Sequence, residues 1–76
     1  MKHGITSESI AHAATYPLLV DEEFEVDTPK VLVLGPDSAG NVLELIGTVS
    51  EAVFRIFHAM PARTGYLQRL DRKENR

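Results

Sequence analysis

Cysteine is absent from these 76 residues, which removes disulfides, thiolate chemistry and cysteine-based zinc sites together. That absence suits a reducing compartment, and a cytoplasmic location is the expectation. Aromatic residues are scarce, at 7%. No apolar run approaches the roughly 20 residues that a bilayer crossing requires, so a membrane span is excluded. The opening Met1-Lys2-His3-Gly4 lacks the apolar core of a secretion signal. Repeats, linkers and low-complexity segments are missing as well.

What is present is an ordinary globular composition with 43% hydrophobic residues. A chain of this length buries only about 60% of its unfolded surface, too little for two cores. Residues 1–76 therefore read as a single domain, with 71–76 expected to fray for want of an apolar anchor. Small folds without staples gain stability by associating, so size alone points to a homo-oligomer or a partner chain. The net charge of -3 hides an asymmetry. Residues 1–51 hold two lysines against nine carboxylates, and residues 52–76 hold six cations against two. A basic end of this kind meets nucleic acid or an acidic protein surface, or simply keeps a terminal helix soluble.

The chain starts with a helix near Ser7. Thr6 is a good N-cap, Glu8 places a carboxylate in the first turn, and Ile5 with Ile10 has the spacing of a hydrophobic staple. Ile10, Ala13 and Ala14 share a face, and Pro17 stops the helix because Tyr16 is pushed out of helical geometry. Leu18-Leu19-Val20 opens a strand that runs into an acidic edge or loop. Five carboxylates between Asp21 and Asp27 hint at a hard-cation site, but a solvated edge that discourages sheet association is the stronger reading. Strands are expected at 30–34, 42–49 and 52–59, with Gly35 to Asn41 as a hairpin loop and Ser50-Glu51 as a tight link. In the last strand plain alternation puts Val53, Arg55 and Phe57 on one side and Phe54, Ile56 and His58 on the other. Pro61 suits the first turn of a closing helix, with Arg63, Tyr66, Leu67 and Leu70 as its sheet-facing stripe and Gly65 as a weak point. The expected class is α+β: a small antiparallel sheet of three to four strands flanked by an N-terminal and a C-terminal helix.

Chemistry concentrates where the last strand meets that helix. Metal-independent RNA cleavage needs a base for the 2′-hydroxyl, an acid for the leaving oxygen and cations for the phosphoryl oxygens. His58 brings an imidazole, the side-chain type suited to proton transfer in water, Arg63 offers a planar fork for phosphate, and Tyr66 can stack on a base or supply a proton. Arg55 adds a second fork but faces away from His58 unless a bulge intervenes. The plainer reading competes. A histidine at a strand end most often makes one hydrogen bond, and a tyrosine on an apolar stripe most often belongs to the core. A metal site from His3, His12 and His58 has no tight ligand spacing, and no cofactor is implied.

Lys2-His3-Gly4-Ile5-Thr6 with Glu8, Pro17 at the helix end, Leu34-Gly35, Gly40 with Leu43-Glu44, and Arg55-Ile56-Phe57-His58-Ala59 resemble the BrnT-type toxins of bacterial toxin–antitoxin pairs. The likeness spans about residues 2–66. The His58-to-Arg63 segment is similar to a compact branch seen in actinobacterial proteins. The resemblance implies a RelE-like ribonuclease fold, an antitoxin partner, and RNA or the ribosome as target. Arg55 and the Lys2-His3 pair match the family's pattern directly and, with Arg69, would bind RNA phosphates, while the residue chemistry at the strand-to-helix corner makes His58, Arg63 and Tyr66 the catalytic candidates. Two functions follow: a toxin-like endoribonuclease or ribosome-directed RNA binder, or a non-catalytic interaction module of the same fold that oligomerises or binds a partner protein.

Overall fold

Thr6 sets the first helix, α1 (Ser7–Thr15): its backbone is extended and its hydroxyl accepts the Ser9 N–H at 3.1 Å. In the computed structural model, residues 5–24 and 29–74 are described. After α1 come four strands, β1 (Leu19–Phe24), β2 (Pro29–Pro36), β3 (Val42–Ser50) and β4 (Val53–Pro61), and then α2 (Thr64–Glu74). The strands pair antiparallel in the order β1-β2-β3-β4. The fold is thus α+β, a four-stranded antiparallel sheet between an N-terminal and a C-terminal helix.

The helices lie on opposite faces. Ala13, Ile5 and the half-buried Ile10 and Ala14 pack on Val31, Val33, Leu43 and Leu45. Ala62, Tyr66 and Leu70 pack on the other face, against Leu19, Leu32, Leu34, Val42 and Ile46. Two-sided cover explains why β2 is buried without interruption from Val31 to Gly35. β2 extends past the expected end at Leu34, since Gly35 and Pro36 pair with Leu43 and Val42. Gly35 is required there: a Cβ would stand 2.2 Å from the Ala13 carbonyl oxygen, so α1 rests directly on the strand backbone.

The β2–β3 loop closes as a hairpin. Asp37 accepts the N–H groups of Ala39 and Asn41 at 2.9 and 2.8 Å, and the Asn41 backbone donor leads in holding its carboxyl below the usual carboxylate range. The β3–β4 link is a two-residue turn with Glu51 and Ala52 both at positive φ, 52° and 65°. β1 forms the edge that the acidic segment suggested, and residues 25–27 of that segment lie outside the described part.

Four expectations need correction. β4 does not alternate simply: Ile46 pairs with His58 but Gly47 with Ile56, so Phe57 is an inserted bulge residue. The insertion brings Arg55, opposite Thr48, onto the same face as His58. Pro61 ends β4 opposite Leu43 instead of starting α2. Its ring fixes φ, which serves a strand end as well as a helix start. The residues that face the sheet are Ala62, just ahead of α2, and Tyr66 and Leu70 on it, while Arg63 and Leu67 are exposed. α2 also continues through Asp71 to Glu74, beyond the expected end at Leu70.

Candidate functional site

β3 and β4 position the site. Val42, Glu44 and Ile46 alternate onto the α2 face, and the bulge turns His58 to the same side beside Ile46. Just past β4, the Arg63 carbonyl accepts the N–H groups of Tyr66 and Leu67, so Arg63 sits at the N-terminal cap of α2. The corner therefore gathers His58, Arg63 and Tyr66, as the sequence suggested.

What they gather around is a carboxylate of the chain itself. Glu44 is 0% exposed. Its Oε2 accepts His58 Nε2 at 2.8 Å and Arg63 Nη2 at 2.8 Å. Its Oε1 accepts the Arg63 backbone N–H at 2.9 Å and Nε at 3.0 Å. Burial pushes the Glu44 carboxyl up, but Arg63, by side chain and backbone, and His58 outweigh it and hold the group below its ordinary value. The hydrogen bonds to Glu44 in turn raise Arg63. Because a carboxylate only accepts, Nε2 carries the proton, and a neutral His58 has its lone pair on Nδ1. Among the described residues no buried side-chain nitrogen or oxygen lacks a partner, which places that Nδ1 on the solvent side.

Tyr66 is half-buried, and its ring carries two guanidiniums, Arg63 at 5.4 Å and Arg69 at 5.1 Å from the centroid. Arg69 also pairs with Asp21 of β1 at 3.1 Å, tying α2 to the sheet edge. Two cavities open beside the corner. One of about 420 Å³ is lined by Lys30, Leu32, Ile46, Phe57, His58, Arg63 and Tyr66. The other, about 460 Å³, is lined by Arg63, Gly65, Tyr66, Arg69 and Arg72. Arg55 shares the face but lines neither. Lys2 and His3 lie outside the described residues.

Sequence reasoning missed Glu44 as the centre of the cluster. The signal was a lone carboxylate inside Val42-Leu43-Glu44-Leu45-Ile46, at the same parity as two core residues. The three-histidine metal reading fails on placement: His12 Nδ1 lies 2.6 Å from the Pro36 carbonyl oxygen on the α1 side, while His58 is committed to Glu44 on the α2 side. Among the described residues no helix is long and apolar enough to cross a membrane. No protein family, no curated protein and no solved structure matches the chain.

Proposed function

We propose that the chain is a non-catalytic interaction module, in which the imidazole and guanidinium that resemble a phosphate site act as a clamp. The observation that carries this reading is the buried Glu44 carboxylate, which already occupies the anion position. A phosphoryl group about 5 Å from Glu44 would meet a repulsion of roughly 3 kcal/mol at an effective dielectric of 20. That repulsion offsets the attraction of Arg63, so the cluster offers no net charge stabilisation for phosphoryl transfer. Its structural work is clear: β3, β4 and the start of α2 meet at one carboxylate.

A second reading rests on the open Nδ1 of His58. A carboxylate that fixes a histidine tautomer is also the arrangement of a general base, and the resemblance to BrnT-type toxins supplies an RNA target and an antitoxin partner. Incubating the purified protein with total cellular RNA, alongside His58→Ala, separates the two. The module reading expects no RNA loss from either protein and no growth arrest on expression. RNA loss or growth arrest that disappears with His58→Ala would establish the ribonuclease instead.

A further inference from the structure

The two helices are held in different ways. α1 has its own cap in Thr6 and lies directly on strand backbone, with Ala13 fully buried against Gly35. α2 has no acidic residue in its first turn. The negative charge at its N-terminus comes from the sheet instead, where Glu44 Oε1 accepts the Arg63 N–H. Tyr66 and Leu70 of α2 pack on the core and both are half-buried, while Leu67 is exposed. An isolated helix shorter than about 12 residues is marginal in water even with a favourable sequence. α2 spans 11 residues, and Gly65 in its first turn lowers its propensity further. It is helical because it is docked.

Docking uses two arginine–carboxylate pins, Arg63 to Glu44 on β3 and Arg69 to Asp21 on β1, with the Tyr66 ring between the two guanidiniums. Both arginines reach solvent, so water takes their places at modest cost. Lifting α2 would not strand a buried charge. Glu44 would meet water and keep His58, which belongs to β4. The strand ladders and the α1 core contain no residue of α2 and would stay as they are.

We propose that α2 is a releasable strap: it undocks and melts as one unit while the sheet and α1 stay folded, and so uncovers the apolar face of Leu19, Leu32, Leu34, Val42 and Ile46. The strap does not depend on the module reading, and its failure would leave that reading intact. Native-state hydrogen exchange in low denaturant tests it. The amides from Leu67 to Leu70 are expected to share one opening, at least about tenfold more populated than the global unfolding that the amides of Leu34, Leu43 and Leu45 report. Thr6→Ala weakens α1 alone, so it is expected to speed those core amides about fivefold and leave α2 exchange unchanged. Gly65→Ala is expected to slow α2 exchange about two- to fivefold. Because the chain has no cysteine, single thiols read the uncovered face. Leu34 and Leu45 are both 0% exposed, on opposite faces of the sheet, and Leu34→Cys is expected to label at least about tenfold faster than Leu45→Cys. A gradient of rates along α2, equal openings for α2 and the core, a Thr6→Ala effect as large on α2 as on the core, no effect of Gly65→Ala, or equal labelling would each overturn it.

Discussion

Glu44 is buried in a sheet core, where an unpaired carboxylate is strongly unfavourable, and four hydrogen bonds from His58 and Arg63 make the position tenable. Glu44→Gln keeps the shape and removes the charge, so it is expected to cost about 1–3 kcal/mol in a denaturant melt, the scale for losing charge-assisted hydrogen bonds and leaving a buried polar group imperfectly paired. The native fold holds the Glu44 carboxyl below its ordinary 4.5. The unfolded chain therefore binds more protons as the pH falls, and stability falls with it. The contribution is complete above about pH 4.5 and disappears as the pH drops through the folded-state value. Acid titration of unfolding should show this limb in the wild type and a shallower one in Glu44→Gln; equal limbs would remove Glu44 from the balance. Three of the four residues of the cluster were legible in the sequence, because His58, Arg63 and Tyr66 flank a strand-to-helix junction. The carboxylate was not, since a phosphate site and an internal ion pair call for the same cations.

At the level of elements, two glycines have opposite roles. Gly35 lies under α1, where a Cβ would meet Ala13 backbone atoms at 2.2 to 3.0 Å. Gly65 lies in the first turn of α2 with nothing within 4 Å of a built Cβ and no positive φ. Gly35→Ala must push the helix off the sheet and is expected to cost about 1–3 kcal/mol, the range for overpacking. Gly65→Ala is expected to add about 0.5–1 kcal/mol through helix propensity. Thermal melts of the two variants moving the same way would contradict this account of both helices. The elements themselves were largely readable: the cap at Thr6, the stop at Pro17 and the turn formers from Gly35 to Asn41 are local signals, and each structure they imply is present. Local signals fail where two structures share a residue preference, as at Pro61, or where one inserted residue resets the period, as at Phe57. Gly47 beside the bulge was the available hint, because a strand glycine marks close backbone approach. Here a Cβ would lie 2.2 Å from the Arg55 carbonyl oxygen.

The whole molecule is a slab of 34 × 33 × 19 Å with two open sheet edges. Both edges mix charge with exposed apolar side chains: Val20 at 53% lies beside Asp21 and Glu22 on β1, and Val53 at 50% and Phe57 at 63% lie either side of Arg55 on β4. Apolar side chains along both margins of so small a body favour association. Light scattering at tens of micromolar is expected to give a mass above the 8.4 kDa of one chain, or a retained partner, and a clean monomer purified alone would count against the module. The bulge guards the β4 margin by interrupting the ladder a stray strand would extend. It also has a bearing on how such a chain can change by insertion and deletion. Register runs from Ile46–His58 directly to Gly47–Ile56, so a descendant that lost residue 57 would keep every remaining side chain of the strand on its present face. That single codon can come and go without repacking either core, and its removal would leave a straight, unguarded border where there is now a kinked one.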